Sequence, residues 1–293
     1  MQVLILYVIV VLIWGSTWAA IPYQLGVVPE EVSVAYRFAL GSIVLFGYAA
    51  ISGRRVRIPV HQYGMVIVTG ALMFSANYLF TYYSINYITS GLVAVAFSLL
   101  VVFNAFLERV FFRKKLESRL MLASLFGVAG IGCLFWPEVA SLDLADRSVV
   151  GLILTLIAVL FASFGNMGAV VSNSRQLPVI AVNAHGMAWG ALTSTIVALL
   201  LGREFNFSLE PGYILSLAYL AIFGSAVAFG CYIALIRKIG SARAAYTSVL
   251  FPIIALLIST FAENYKWSAS ALAGIVLIIG GNWLALTKMK RNE

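Results

Sequence analysis

Long apolar segments, separated by short polar ones, follow one another along the whole chain. A helix needs about 20 predominantly apolar residues to cross a membrane, and none of the polar stretches is long enough to hold an inserted domain. The pattern predicts an all-α integral membrane protein with ten transmembrane helices. The predicted spans are Val3–Pro22, Val32–Ile51, Tyr63–Tyr83, Ser90–Phe112, Leu120–Trp136, Val149–Ser172, Val179–Leu201, Tyr213–Ile236, Ala242–Ala262 and Ala269–Thr287.

The amino-acid composition agrees with a membrane protein. Of the 293 residues, 62% are hydrophobic and 10% are charged, and the mean hydropathy is +0.99. No ordinary soluble domain has so much apolar surface to bury. The first segment follows a leader of only Met1 and Gln2, without the basic residue that a signal peptide would carry, so we interpret it as the first transmembrane helix.

Basic residues collect in alternate loops of this ten-helix arrangement. Fourteen lie on one side, and only Arg147, Arg203 and Lys266 lie on the other. Because basic loops stay in the cytoplasm, we expect both termini to be cytoplasmic. The net charge of +8 therefore indicates membrane orientation and does not predict a nucleic-acid partner. The fourteen residues are Arg54, Arg55, Arg57, Arg113, Lys114, Lys115, Arg119, Arg175, Arg237, Lys238, Arg243, Lys288, Lys290 and Arg291.

The two halves of the chain resemble each other weakly at a shift of about 150 positions, which places Tyr82 on Tyr232 and Gly130 on Gly280. Each half has five helices, an odd number, so the second half must enter the membrane from the opposite side. Inverted repeats of this kind build many secondary transporters, with the substrate site between the repeats. We predict two inverted five-helix repeats, residues 1–140 and 141–293.

A proline, Pro252, lies near the middle of the ninth span. In water a proline in a helix interior usually ends the helix, but in a membrane neighbouring helices can satisfy the freed carbonyl, here that of Ser248. A distorted helix at membrane depth often borders a substrate path, whereas a packed kink needs no ligand. Both interpretations stay open, and a gating role for Pro252 is the functional one.

Several short motifs resemble those of a known family. The chain is similar to the EamA type of the drug/metabolite transporter superfamily, and the resemblance extends from Trp14 to Leu286. It implies ten helices in two halves and a transporter of small organic solutes. The residues that carry the resemblance are Trp14-Gly15-Ser16, Tyr36-Arg37-Phe38, Phe251-Pro252, Glu263, Gly274, Gly280 and Gly281.

The aromatic-rich helices are most similar to those of the bacterial exporters of aromatic amino acids in this family. This similarity implies a location in the bacterial inner membrane. The first half departs from the family pattern, because Val101 stands at the position of the proline and Phe112-Arg113 at that of the glutamate. The proline and glutamate pattern is therefore carried over only to Pro252 and Glu263.

Polar and aromatic side chains share helix faces in several spans. In the third span, Asn77 and Thr81 lie one turn apart, and Tyr78 and Tyr82 lie on the adjacent face. Because lipid disfavours polar groups without partners, we expect these faces to line a cavity for an amphipathic organic solute. The predicted substrate-binding residues are Trp14, Trp18, Arg37, Asn77, Tyr78, Thr81, Tyr82, Phe161, Phe164, Asn166, His185, Tyr246 and Ser248.

Three ionisable side chains fall inside apolar spans: Arg37, Glu108 and His185. An arginine at the centre of a helix costs about 2.5–3.5 kcal/mol to insert, so Arg37 should face either a substrate carboxylate or a structural partner. His185 lies at the corresponding depth in the second half and is either a proton site or a packed ring. Glu108 is expected to form a local pair beside Arg109 and not a proton relay.

Motifs for several other functions are missing from the sequence. It contains no glycine-rich phosphate loop, no HExxH and no Ser/His/Asp arrangement. Cys133 and Cys231 fall inside apolar spans without metal-ligand spacing. We therefore predict that the protein is not an enzyme and needs neither a metal nor a cofactor.

Export of small organic solutes, among them aromatic amino acids, by alternating access is the function that these features favour. The expected partners are such a solute and the lipid bilayer, and the sequence, which is compatible with a monomer, leaves the oligomeric state open. The alternatives are a transporter of sugar phosphates, nucleotide sugars or drugs from the same superfamily, and a non-transporting membrane scaffold. A sugar phosphate would require several cations in the cavity, and Arg37 stands alone. Without a cluster of buried carboxylates, facilitated export is favoured over strong ion coupling.

Overall fold

The structure is a computed structural model of the chain. The structure describes residues 1–114, 118–134, 136, 147–262 and 268–286. Within these residues the chain forms helices joined by turns and loops, and no strand occurs there. The predicted all-α architecture is therefore confirmed. The predicted repeat boundary at residues 140 and 141, Glu263 and Thr287 lie outside the described residues.

Five helices make up the first half. The first helix continues in a 3-10 turn, the third contains a π turn, and the fourth consists of two pieces. Their bounds are Gln2–Ala20 for α1, followed by the 3-10 turn Ile21–Gln24, Glu30–Ile51 for α2, Val60–Ile85 for α3 with its π turn Leu72–Ala76, Ser90–Phe97 and Leu100–Phe112 for α4a and α4b, and Ser118–Leu134 for α5.

The second half repeats this plan, with a π turn in its third helix and a fourth helix in two pieces. The bounds are Ser148–Ser174 for α6, Val179–Leu200 for α7, Pro211–Ile239 for α8 with its π turn Leu220–Val227, Ser241–Ala244 and Thr247–Ala262 for α9a and α9b, and Ala269–Leu286 for α10.

By length and composition, five helical stretches of the described residues could cross a membrane. Two shorter apolar helices, Ser118–Cys133 and Ala269–Ala285, accompany them. Large apolar side chains such as Ile43, Leu125 and Val276 are more than 60% exposed on the outside of the bundle, which suits contact with lipid tails. The qualifying stretches are Gln2–Gln24, Glu30–Ile51, Val60–Ile85, Ser148–Ser174 and Pro211–Ile239.

Helices α1 and α8 run in opposite directions. Lys238, near the end of α8, donates to Oε1 of Gln2 at the start of α1 over 3.2 Å. Gln24, just beyond the end of α1, donates to Oγ of Ser216 near the start of α8 over 2.6 Å. The side of the bundle that holds Met1 is called the terminal side below, and the opposite side the distal side.

Helix ends are set by local sequence. Pro29 and Pro178 precede α2 and α7, and Pro211 is the first residue of α8, where a missing N–H costs nothing. The last turn of α8 carries Arg237 and Lys238, whose charges oppose the negative end of the helix dipole. Short sequence signals therefore fix where these helices begin and end.

Helix contacts follow a two-fold pattern between the halves. The helix α2 packs on α7, and α5 packs on α10. The helix α1 packs on α8 and α9b, and its counterpart α6 packs on α3 and α4b. Likewise α3 contacts α7 while α8 contacts α2. Exchanging each helix for the one five places along the chain thus preserves the contacts, as two inverted five-helix repeats would require.

The fourth helix of each half is broken near its first third. The helix α4 is interrupted at Ser98 and Leu99, and α9 at Ala245 and Tyr246. By contrast, α9b runs through Pro252 without ending there, as expected of a proline at membrane depth. The discontinuity of the ninth span therefore lies six residues before the proline.

Close approach explains the glycine of the Trp-Gly-Ser sequence. A Cβ on Gly15 would lie 2.5 Å from Cβ of Ile254, well inside van der Waals contact. The backbones of α1 and α9b therefore meet more closely than any larger residue would permit. Small residues at such crossings are the usual means of packing membrane helices.

Candidate functional site

A cavity lies within the bundle between helices of both halves. It contains about 610 Å³ of empty space, including the space at its opening, and the centres of water-sized molecules can occupy about 70 Å³ of it. Its wall extends from Ile21, at the distal end of α1, to Tyr232 in the terminal half of α8. Helices α1, α2, α3, α4, α6, α8 and α9b all contribute side chains.

The indole of Trp14 is held at the wall by rings and by one backbone acceptor. Its Nε1 donates to the carbonyl oxygen of Gly224, in the π turn of α8, over 2.9 Å. Its ring lies 4.8 Å from that of Phe229, 4.9 Å from that of Tyr232 and 5.7 Å from that of Phe251, measured between centroids. These contacts fix an aromatic surface made by α1, α8 and α9b.

Arg37 is the cation of the cavity wall, and it is only 1% exposed. Its Nε donates to Oγ of Ser225 over 3.0 Å, and its Nη1 lies 3.5 Å from the hydroxyl of Tyr82. The guanidinium carbon stands 4.4 Å from the ring centroid of Tyr78, a cation–π distance. No carboxylate among the described residues forms an ion pair with Arg37.

The predicted polar face of α3 lines the cavity through Asn77, Tyr78 and Thr81. The hydroxyl of Thr81 donates to the carbonyl oxygen of Asn77 over 2.8 Å and is therefore engaged within its own helix. The Nδ2 group of Asn77 donates weakly, over 3.3 Å, to the carbonyl oxygen of Met73 in the π turn. Its Oδ1 is buried and accepts no hydrogen bond from a described residue.

Trp18 provides a second buried polar atom without a partner. Its Nε1 donates to no described acceptor, although the side chain is only 7% exposed. The ring packs on Phe97, with centroids 5.5 Å apart. Of the buried side-chain atoms without a described partner, this donor on Trp18 and the acceptor on Asn77 belong to the cavity wall, where a polar ligand would satisfy both.

An amide network closes the terminal side of the cavity. Nδ2 of Asn166 donates to the hydroxyl of Tyr232 over 3.1 Å and to Oδ1 of Asn104 over 3.3 Å. Asn104 also accepts from Ser163, and its Nδ2 donates to the carbonyl oxygen of Ser241 over 3.2 Å. This network therefore joins helices α4b, α6, α8 and α9a on the terminal side of the cavity.

A terminal polar cluster, composed of Glu108, Ser241 and Lys114, continues this network to the surface. Oε1 of Glu108 accepts from both the backbone N–H and the hydroxyl of Ser241. Its Oε2 lies 3.2 Å from Nζ of Lys114. Glu108 therefore forms a local pair, as expected, but its partner is Lys114, while Arg109 donates to the carbonyl oxygen of Arg113.

A distal polar cluster, composed of Glu31, Tyr83 and Arg203, lies at the other end. Oε1 of Glu31 accepts from the hydroxyl of Tyr83 and from Nε of Arg203, the latter over 3.2 Å. Nearby, Gln24 donates to the carbonyl oxygen of Tyr213 over 2.9 Å. Polar contacts thus join the helix ends on both sides of the cavity.

Of the thirteen predicted substrate-binding residues, the structure brings seven to this cavity. Tyr82 does not line the cavity, but its hydroxyl contacts Nη1 of Arg37, which does. The seven are Trp14, Trp18, Arg37, Asn77, Tyr78, Thr81 and Asn166.

Four of the predicted residues pack elsewhere. Phe161 and Phe164 do not line the cavity, and their rings face Phe80 and Phe111 at 5.5 and 6.1 Å. The hydroxyl of Tyr246 donates to the carbonyl oxygen of Leu120 over 2.8 Å and so joins α9 to α5. Ser248, in the first turn of α9b, donates to the carbonyl oxygen of Ala245, in the break between α9a and α9b, over 2.7 Å. These side chains satisfy their packing and polar needs without a ligand.

His185 also lies away from the cavity wall. Its Nδ1 is 3.1 Å from the hydroxyl of Tyr63, and its Nε2 is 3.0 Å from the carbonyl oxygen of Val56. The ring of Phe46 packs against it at 4.9 Å. Both ring nitrogens are therefore occupied, and the histidine joins α7 to the loop before α3.

Sequence reasoning missed nine lining residues. Tyr232 carried a detectable signal, because the repeat places it on Tyr82. Phe251 is adjacent to Pro252, and Phe229 lies one helical turn before Tyr232. The apolar members gave no signal that distinguishes a cavity wall from ordinary packing. The nine are Thr17, Ile21, Met73, Phe97, Leu100, Ala162, Phe229, Tyr232 and Phe251.

Curated relatives cover nearly the whole chain at low identity. The protein PagO of Salmonella typhimurium is 23% identical over 96% of this chain and 92% of its own. The uncharacterized inner membrane transporter YedA of Escherichia coli is 26% identical, covering 93% and 89%. A probable amino-acid metabolite efflux pump of Escherichia coli is 23% identical, covering 96% and 93%.

A solved crystal structure has the same fold, with a TM-score of 0.77 over 96% of this chain and 95% of the other, at 19% identity. The EamA-like transporter family matches the chain twice, over residues 1–136 and 149–287. Each match covers one five-helix half, and together they span most of the sequence. The chain therefore belongs to the EamA-like transporter family and is a multi-span membrane transporter.

Proposed function

We propose that the protein exports small organic solutes, including aromatic amino acids, across the bacterial inner membrane by alternating access through the described cavity. The observation that carries the proposal is the composition of the cavity wall. Aromatic rings from α1, α3, α8 and α9b surround one buried cation, Arg37, which has no carboxylate partner among the described residues. Such a wall suits a solute with an apolar body and a carboxylate.

The size of the cavity indicates how a solute would enter. The centre of each water molecule needs about 10–15 Å³. The 70 Å³ that water centres can occupy here therefore holds only a few waters. An aromatic amino acid is larger, so rings such as those of Trp14 and Phe251 must shift when it binds. We infer that the structure represents a contracted state of the transport cycle.

The two polar clusters are suited to be the gates. The terminal polar cluster joins α4b to α9a, and the distal polar cluster joins the start of α2 to Tyr83 near the end of α3. Alternating access requires one end to separate while the other stays closed. The π turns in α3 and α8 and the breaks in α4 and α9 are places where the helices could bend.

The orientation follows from the loop charges. Exposed Arg54, Arg55 and Arg57 lie on the terminal side, between α2 and α3. The positive-inside rule places this side in the cytoplasm. Export then means that the terminal polar cluster opens to admit the solute and the distal polar cluster opens to release it.

The lining disfavours the alternative substrates. A sugar phosphate or a nucleotide sugar carries more than one negative charge, whereas Arg37 is the only charged side chain in the wall described here. A membrane scaffold would need neither this cavity nor the unpaired polar atoms of Trp18 and Asn77. The relative described as a probable amino-acid metabolite efflux pump supports the proposal.

Facilitated export, uncoupled or loosely coupled to protons, is the mechanism that we favour. A proton relay needs a titratable group that meets the solute or its path. His185 has both ring nitrogens engaged by Tyr63 and Val56, outside the cavity wall. The solute gradient is therefore the main driving force in this proposal, with at most loose coupling to protons.

Solute flux in proteoliposomes tests the proposal. Vesicles with the purified protein should accumulate labelled phenylalanine faster than empty vesicles without an imposed pH gradient. Arg37→Gln should lower this flux roughly tenfold or more, as expected for losing a charged hydrogen-bonding partner. Arg175→Gln removes an exposed charge at the end of α6 and serves as the matched control. Equal flux with and without protein would reject the transport proposal.

A further inference from the structure

We propose that the cavity selects monocarboxylates that carry no free ammonium group, such as N-acylated aromatic amino acids and aryl 2-hydroxy acids, over the zwitterionic amino acids themselves. This inference rests on the proposed transport function and specifies the charge of its preferred solute. It follows from the charge balance of the cavity and from two unpaired polar atoms.

The charge balance favours an anionic ligand. A buried cation is costly unless it is paired, and Arg37 has no acidic partner among the described residues. The two ion pairs of the described chain bind Glu108 to Lys114 and Glu31 to Arg203, at opposite ends of the bundle. A ligand with a net charge of minus one neutralises the site, whereas a zwitterion adds no net charge.

The position of the guanidinium is fixed before a ligand binds. Its Nε donates to Ser225, whose own hydroxyl donates to the carbonyl oxygen of Leu220 over 2.9 Å. The ring of Tyr78 covers one face of the guanidinium. The unpaired Nε1 of Trp18, at the same cavity, offers a further donor. A carboxylate is the ligand group that accepts from both.

The remainder of the ligand meets neutral groups. No acidic side chain belongs to the described wall, so a free ammonium would find only neutral acceptors such as Oδ1 of Asn77. Burying an ammonium without an acid is expensive. An amide N–H or a hydroxyl can donate to the same Oδ1 without bringing a charge into the site. The ammonium is therefore a disadvantage at this position.

The aromatic wall selects the body of the ligand. Trp14, Phe229 and Phe251 present ring surfaces, and none of the three is charged. An aryl side chain gains both apolar burial and ring contacts there. Carboxylate, neutral donor and aryl group together define the predicted ligand class.

Binding of four related compounds to the purified protein in nanodiscs tests the inference. The compounds are N-acetylphenylalanine, 3-phenyllactate, phenylalanine and phenethylamine, and the readout is isothermal titration calorimetry. The first two should bind roughly tenfold more tightly than phenylalanine, the difference expected for one unfavourable charged group. Phenethylamine, which lacks the carboxylate, should not bind measurably.

Two variants assign the preference to named atoms. Trp18→Phe removes the N–H donor together with part of the ring system and should weaken all three carboxylates several-fold. Trp283→Phe makes the same chemical change on the 67% exposed Trp283 and should not. Asn77→Asp introduces an acid and should raise the affinity for phenylalanine relative to 3-phenyllactate. Each variant is compared with the wild type by thermal unfolding to confirm that it folds.

The outcomes separate this inference from the transport proposal. If phenylalanine is transported and binds as tightly as 3-phenyllactate, the charge preference is overturned and the transport proposal stands. If Asn77→Asp leaves the ratio of the affinities for phenylalanine and 3-phenyllactate unchanged, Asn77 does not contact the ligand at this position and the inference fails. If none of the compounds binds or crosses the membrane, both proposals are overturned.

Discussion

Ser241 donates both its backbone N–H, over 3.1 Å, and its hydroxyl to the same carboxylate oxygen of Glu108. Ser241 is the first residue of α9a, and Glu108 lies in the last turns of α4b. The contact therefore joins the fourth helices of the two halves on the terminal side. Because both bonds end on a buried, charged acceptor, separating these helices without water would be costly.

Weakening this contact should open the terminal side of the cavity. Ser241→Ala removes the hydroxyl donor but leaves the backbone N–H. A hydrogen bond to a charged group contributes about 1.5–3 kcal/mol, so the ratio of open to closed molecules should rise about tenfold or more. The readout is labelling of a cysteine placed at Ala162, in the cavity wall, by an impermeant thiol reagent applied from the terminal side.

The labelling experiment requires a background without Cys133 and Cys231, both of which are free thiols. Ser174→Ala is the matched control, since the exposed hydroxyl of Ser174 bonds only within its own helix. Unchanged labelling rates in Ser241→Ala would show that the contact is not a gate.

The crossing of α1 and α9b should not tolerate even one additional methyl group. Gly15→Ala places a Cβ 2.5 Å from that of Ile254, so the helices must separate. Overpacking of this kind costs about 1–3 kcal/mol and should lower the thermal unfolding midpoint in detergent. Gly47→Ala, where no atom lies within 4 Å of the new Cβ, should leave the midpoint unchanged or raise it. Equal midpoints for the two variants would contradict the packing argument.

Replacement of Pro252 separates gating from packing. Pro252→Ala supplies the missing N–H to the carbonyl of Ser248 and stiffens α9b. We expect solute flux to fall clearly below that of the wild type, because a stiffer helix bends less readily. The thermal unfolding midpoint should change little by comparison. Pro59→Ala, at an exposed loop proline, is the control. Wild-type flux in Pro252→Ala would leave the proline with a packing role alone.

His185 should prove dispensable for transport. Glutamine at this position keeps a donor and an acceptor for Val56 and Tyr63, so His185→Gln should retain substantial flux with and without a pH gradient. His61→Gln, which changes the exposed His61, provides the comparison. Abolished flux in His185→Gln together with a strict need for a proton gradient would favour antiport.

The orientation of the bundle can be measured directly. Single cysteines at Arg54, between α2 and α3, and at Glu204, between α7 and α8, lie on opposite sides of the bundle. In right-side-out vesicles an impermeant reagent should label the cysteine at position 204 and not the one at position 54. Labelling of both from the same side would exclude the proposed topology.

Hydrophobic segments and loop charges were sufficient to predict the helices, because membrane insertion depends on these properties directly. They also led to the face of α3 that carries Asn77, Tyr78 and Thr81, since polar groups rarely face lipid. The π turns in α3 and α8 were not predicted. A π turn depends on which carbonyl each N–H selects, and that choice depends on packing against other helices.

Tyr246 and His185 show why polar residues alone do not identify a cavity. Both are polar groups in apolar spans, and both find backbone carbonyls of other segments, at Leu120 and Val56. A polar side chain in a membrane needs a partner but not necessarily a ligand. Conversely, Phe229 lines the cavity with a ring that would serve equally well in a core.

The π turn of α8 has a consequence for how the cavity can change over evolution. The carbonyl of Gly224 accepts from Trp14, and that of Leu220 accepts from Ser225, which in turn positions Arg37. These acceptors belong to the main chain, so no exchange of one amino acid for another at Gly224 or Leu220 removes them. The two acceptors therefore persist through changes of side chain at these positions. The orientation of Arg37 still depends on the hydroxyl of Ser225, so loss of this one serine would release the guanidinium while the acceptor of Leu220 stayed in place.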